Sequence, residues 1–301
     1  MKLTEIIKSM RASRQRERIA SRRYTRSKFG TFLIFVILTA AGLFSVLPLI
    51  YCICTAFKPL DELLIFPPRF FVRRPTIANF TVLPSLISSL KVPFSRYIFN
   101  SLFITLATTA VYIFISMMAA FALSKATFRG KNFIFWLIQF ALMFNGVTLG
   151  VQQYLIFAKL KIIDTYWVYI LPQLASTLGV FLAKQYIEGY IPNPLLEAAK
   201  IDGANYYRVF WSIVMPIIKP AWLTLLLFSF RDIWSMVPSG TIFSESLKTL
   251  PQIVGQITSG GTARAGSAMA VSVIMMIPPL IVYFISQSNV VEAMSSAGIK
   301  E

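Results

Sequence analysis

Residues 31–57 form a run of 27 without a single Asp, Glu, Lys or Arg. About 20 apolar helical residues cross a hydrocarbon core roughly 30 Å thick, so this run is long enough to span one. Five more apolar runs follow, over residues 97–124, 133–158, 168–187, 221–240 and about 267–288. The fourth holds Pro172, Gln173, Lys184 and Gln185; the fifth holds Arg231 and Asp232; the sixth holds Pro278 and Pro279. Proline is tolerated in membrane helices, because neighbouring helices satisfy the carbonyls it frees. The pattern predicts an all-α, polytopic integral membrane protein with six transmembrane helices.

Composition narrows the chemistry. Only 14% of residues are charged, where a soluble domain carries roughly a quarter. The 26 Phe, 12 Tyr and 5 Trp exclude a disordered chain, which could not keep them solvated. There is no His at all, which removes Ser-His-Asp triads, His bases and His-ligated metals together. Cys52 and Cys54 lack CxxC spacing and have no other cysteine to pair with, so they read as buried spectator thiols. No metal site is expected.

The net charge of +17 is a matter of topology. Ten Lys and Arg lie within residues 1–28, three more at Lys125, Arg129 and Lys131, four at Lys184, Lys200, Arg208 and Lys219, and one at Lys300. The alternate loops hold ten, six of them in the single long loop after the first span. The bias of 18 to 10 places both termini in the cytoplasm. The basic arm 1–28 then reads as an anchor to anionic lipid, and no nucleic-acid partner is expected. A cleaved signal peptide is not expected, since the first apolar run is about twice the usual length of such a core.

Nucleotide chemistry is missing too. The nearest approach to a phosphate loop, Arg129-Gly130-Lys131-Asn132, lacks the leading glycine and the hydroxyl for magnesium. Arg231 and Asp232 are the charged pair at membrane depth. Each costs roughly 2.5–3.5 kcal/mol there without a partner or a wet cavity. A structural pair between helices and a polar lining of a translocation path are both open. Trp234 beside them could stack on a sugar ring or serve packing.

The informative polar segment lies at about 188–220. Pro194 suits a helix start, Leu195, Ala198, Ala199 and Asp202 follow at helical spacing, and Gly203 can end the helix at positive φ. A second amphipathic piece places Tyr206, Val209, Phe210 and Ile213 on one face, and Pro216 and Pro220 turn the chain toward span five. Such an element rests on lipid or docks a cytoplasmic partner. Both small alanines are expected to let a partner surface approach, with Glu197 meeting a basic group.

Glu197-Ala198-Ala199, Gly203, Ile213 and Pro216 resemble the EAA loop of permease subunits of bacterial ABC importers, with Met215 where Leu is usual. Asn100-Ser101-Leu102, Phe128-Arg129-Gly130-Lys131, Thr249-Leu250-Pro251, Val291-Glu292-Ala293 and Ala297-Gly298-Ile299-Lys300 extend the likeness to the maltose-type second permease of the sugar-importing branch. Trp234-Ser235 departs from the Trp-Asn common in that family.

The resemblance implies a type I importer permease in three parts. These are an arm over 1–28, a transmembrane domain over 29–290 with its coupling loop at about 188–220, and a cytoplasmic tail over 291–301. It implies ATPase coupling through Glu197, Ala198, Ala199, Asp202, Gly203 and Pro216, and contact of the tail with the ATPase through Gly298 and Lys300. Implied partners are a second permease, two ATP-binding subunits that hold ATP and Mg, an extracytoplasmic solute-binding protein, membrane lipid and a carbohydrate substrate. The chain itself needs no cofactor. Location in the bacterial cytoplasmic membrane follows. An importer of amino acids, peptides or polyamines shares the EAA loop and remains the alternative, while a membrane-embedded enzyme or a stand-alone channel fits less well.

Overall fold

A computed structural model describes residues 28–88, 92–144, 150–238 and 240–297. The basic arm therefore lies outside the described residues except for Lys28, as do Gly298 and Lys300 of the tail. Among the described residues there is no strand, in agreement with the all-α expectation.

Helix α1, Lys28–Ala56, covers the first run. Every side chain from Thr31 to Ile50 is exposed, the surface a helix presents when hydrocarbon is its solvent. The chain divides after Cys52 into two compact units. From Ile53 onward the second unit is organised around α2, Phe94–Lys125. Its inward face recurs every three or four residues through Tyr97, Ser101, Ile104, Thr105, Thr108, Tyr112, Ser116 and Ala120, all buried. Small polar side chains on such a face suit helix packing in lipid, where burial of apolar surface no longer drives association.

The third apolar run is covered by α3, Lys131–Ala141, and α4, Gly150–Lys159. The fourth is broken into α5, Trp167–Leu174, and α6, Thr177–Tyr190. The break falls at Ala175 and Ser176, three residues after Pro172. Between spans four and five lie α7, Asn193–Ile201, and α8, Tyr206–Val209. Span five is α9, Lys219–Trp234, which ends six residues before its apolar run does. The Ser235 hydroxyl donates to the Arg231 carbonyl at 2.8 Å and competes with helix continuation. Then come α10, Leu250–Thr258, and α11, Ala265–Ala297. Helix α11 carries the backbone past the expected domain end at 290. By length and composition, three helices among the described residues are long and apolar enough to cross a membrane, or four if the bent pair 206–217 and α9 is counted as one span.

The loop after α1 is stapled rather than loose. Buried Glu62 accepts the backbone N–H groups of Arg73 and Arg74 at 3.1 and 2.9 Å. Lys58, also buried, donates to the Arg69 carbonyl, and Asn79 donates to the carbonyls of Ala56 and Lys58.

Candidate functional site

The polar segment between α6 and α9 is an ordered double helix. Pro192 precedes α7 and Pro194 occupies its first turn, where a missing N–H costs nothing. At its other end Gly203 stands at φ +77°. The Gly203 N–H donates to the Lys200 carbonyl at 3.0 Å and the Ala204 N–H to the Ala199 carbonyl at 2.9 Å. That pair of bonds is a Schellman stop, which the glycine makes possible. Asn205 then caps α8, its side chain accepting the Arg208 N–H at 2.8 Å.

A π-helical turn over Phe210–Val214 continues to Ile217. Between there and Lys219 the chain bends by 79° into α9. Pro216 and Pro220 flank the bend, so the element lies across the axis of span five.

Packing makes this element continuous with the transmembrane helices. Ala199, Val209, Phe210, Val214 and Ile218 share one buried cluster with Met117, Ala120 and Phe121 of α2, Ala183 and Ile187 of α6, and Ala221 and Leu225 of α9. The Lys125 ammonium, at the end of α2, donates to the Ile191 carbonyl at 2.6 Å and to Asn193 Oδ1 at 3.0 Å. The element thus packs against three helices at once.

One expectation is corrected by the packing. Ala199 faces inward, 7% exposed, and cannot be a surface for a partner. Adjacent side chains on a helix point about 100° apart, so one of the two alanines can face outward while its neighbour is buried. The outward one is Ala198, exposed together with Glu197, Asp202 and Gly203. Ile201, which the sequence did not single out, is 87% exposed beside them.

On α9, Phe230, Ile233 and Trp234 face the core, while Phe228, Arg231 and Asp232 face outward. Trp234 leaves the set of path candidates. Its ring is 5% exposed, it stacks on Phe230 at 5.7 Å, and its indole N–H donates to the Met275 carbonyl at 2.9 Å. No ion pair joins Arg231 to Asp232 among the described residues.

A third arrangement escaped the sequence. Asp164 sits at φ +59°, and its carboxylate accepts the N–H groups of Phe243 and Ser244 at 2.9 and 2.8 Å and the Ser244 hydroxyl. Asn100 donates to the carbonyls of Ser246 and Lys248 at 2.8 and 2.9 Å, and the Ser101 hydroxyl accepts the Leu250 N–H at 2.8 Å. The segment 241–250 is thus clasped to the start of α2 and to the link between α4 and α5. The Ser244 hydroxyl, more than the backbone donors, holds the Asp164 carboxyl below its ordinary range, with partial desolvation opposing.

A depressed carboxyl contributes stability that is complete above its unfolded pKa, about 3.9, and lost as pH falls through the lower folded value. The clasp is expected to be indifferent to pH from 5 to 8. Asp164→Ala should weaken it throughout that range by about 1.5–3 kcal/mol, the usual worth of bonds to a charged group. Hydrogen exchange of residues 241–247 is the measurement. Unchanged protection in the variant would disprove the clasp.

No protein-family model matches the chain. It is similar to Protein LplC of Bacillus subtilis (strain 168), 30% identical over 284 residues, with 87% of this chain and 92% of that protein covered. It is also similar to the polygalacturonan/rhamnogalacturonan transport system permease protein YtcP of the same strain, 28% identical over 275 residues, covering 86% and 93%. Among solved structures, a chain of a bacterial ABC transporter involved in the import of the acidic polysaccharide alginate superposes with a TM-score of 0.70. That alignment covers 88% of this chain and 98% of the other at 22% identity, and it shows a shared fold.

Proposed function

The chain belongs to the permease subunits of bacterial carbohydrate ABC importers, and from that premise we propose that it forms one half of a two-permease pore driven through α7. The observation that carries the reading is the α7–Gly203–α8 element, packed into the buried core of the helices, whose second part, 206–217, is set at 79° to α9. Glu197, Ala198 and Ile201 form the knob that enters a groove on an ATP-binding subunit. The shared buried cluster passes the movement on to α2, α6 and α9, where packed interiors shift as units rather than deform smoothly.

Both termini are cytoplasmic and six crossings lie in the cytoplasmic membrane. Segments 58–96 and 241–266 face a solute-binding protein outside. The clasp at Asp164 and Asn100 fits that arrangement, since a delivery surface must be held in shape. The substrate is an oligosaccharide, in keeping with relatives whose names specify polysaccharide import. Two ATP-binding subunits supply ATP and magnesium, and this chain holds neither.

Reconstitution tests the reading. The purified chain alone is expected to show no ATP hydrolysis. Assembled with a second permease, two ATP-binding subunits and a loaded binding protein, it should support turnover that the binding protein stimulates. Hydrolysis by the chain alone, or a complex indifferent to its binding protein, would overturn it.

A further inference from the structure

Arg231 lies twelve residues beyond the start of α9, roughly 18 Å along the helix axis and so within the hydrocarbon thickness. Its side chain points away from the core that Phe230, Ile233 and Trp234 occupy. Three other cations at or near helix ends are satisfied. Lys125 and Lys131 donate to backbone carbonyls, and Lys184 pairs with Glu188 at 2.7 Å and sits 3.8 Å above the Phe135 ring. The Arg231 guanidinium has no ion pair or side-chain hydrogen bond among the described residues. In lipid the charge would cost roughly 2.5–3.5 kcal/mol, so a wet lumen or another subunit receives it more favourably.

The outer loops carry a second, independent signal. On the proposed topology they hold ten Lys and Arg against four acids, Asp61, Glu62, Asp164 and Glu245. All four acids are engaged. Asp61 pairs with Arg74, Glu62 and Asp164 accept backbone N–H groups, and Glu245 is held by Lys248, Tyr97 and Gln256. On that topology the entrance therefore carries a net positive charge. A field of that sign gathers anions.

We propose that Arg231 is the lumenal contact for an anionic saccharide, one bearing a carboxylate or a phosphate. The planar guanidinium takes either oxyanion through two parallel hydrogen bonds. Asp232, exposed on the neighbouring face, accepts sugar hydroxyls. This inference rests on the permease reading above and narrows its substrate class.

The test uses the complete transporter in proteoliposomes, with trigalacturonate, glucose 6-phosphate and neutral maltotriose as probes. The readout is the ratio of anionic to neutral uptake, because a general loss of folding lowers both alike. A binding protein that filters substrate is common to every variant, so a change in the ratio belongs to this chain. Wild type is expected to favour an anionic probe, and the faster of the two identifies carboxylate or phosphate. Arg231→Ala should lower the ratio at least tenfold, and Arg231→Lys should recover part of it by keeping charge without the fork. An unchanged ratio in Arg231→Ala would overturn the proposal. Uptake of maltotriose alone would overturn it too while leaving the permease reading intact. Dissociation of the two permeases in Arg231→Ala would move the residue to the subunit interface and equally overturn its lumenal role.

Discussion

Ala198→Trp and Gly203→Val are each expected to abolish uptake while the protein remains in the membrane at normal amounts. The two act differently. Ala198 is exposed on α7 next to Glu197, and an indole there fills space that a docking surface needs. At Gly203 space is not the issue, since an added Cβ would meet no atom within 4 Å. The cost is conformational: φ is +77°, and a side chain in that region costs roughly 1–2 kcal/mol. β-Branched Val is worse placed than most. Relief of that strain breaks the bonds from Gly203 to Lys200 and from Ala204 to Ala199, and α8 loses its setting against α7.

ATP hydrolysis should be lost, or should continue without transport. An element that merely rests on lipid gives the opposite expectation for Ala198→Trp, because tryptophan is at home at a membrane interface. Normal uptake in both variants at normal expression would remove the joint from this loop. Ala199→Asp is a different experiment. It places a carboxylate among Val209, Phe210 and Val214, so it should lower the amount of folded protein before it touches docking.

The contrast between the two alanines shows what a sequence can and cannot yield. The helix, its glycine stop and the bend toward span five were legible because each depends on residues within a turn of one another. The inward face of α2 was legible as an apolar run but not as a face, since its buried positions are largely Thr, Ser and Tyr. Which of Ala198 and Ala199 points outward depends on what α7 packs against, and those groups lie on α2, α6 and α9.

Distance in sequence hid the rest. Lys125 reaches Ile191 across 66 residues, and Asn100 reaches Lys248 across 148. No periodicity announces such bonds. Asp164 was visible only as one acid in a short loop, yet Asp is among the few residues that tolerate its left-handed backbone. Trp234, open in the sequence to sugar stacking or to packing, packs. Its neighbours Arg231 and Asp232 suggested a polar surface, whereas the helix turns its ring into the core.

Gly179→Leu is expected to deplete the assembled complex more severely than any substitution in the coupling loop. In the sequence Gly179 is one small residue inside the fourth apolar run. In the fold it is where α6 crosses α2. A Cβ there would lie 2.7 Å from Tyr112 Cζ and 2.9 Å from Ser116 Oγ, with Tyr112 Oη nearer still. Tyr112 and Ser116 are both buried, so neither can swing aside into lipid. Small residues let helix backbones approach in membranes, and dispersion contacts rather than water exclusion hold the pair together.

Forcing a methyl group into such a contact costs about 1–3 kcal/mol, and an isobutyl group more. Helix α6 also carries Ala183 and Ile187 into the cluster shared with α7 and α8. Displacing it therefore loosens the base of the coupling element as well as the crossing. Gly179→Ala should give an intermediate loss of thermal stability, and adding Tyr112→Leu should restore much of it by vacating the ring. The measurements are the yield of complex on size exclusion and its Tm. A Gly179→Leu complex that assembles in wild-type amounts with unchanged Tm would mean that α6 does not meet α2 at this point. The rigid path from α7 to the transmembrane helices would then have to run elsewhere.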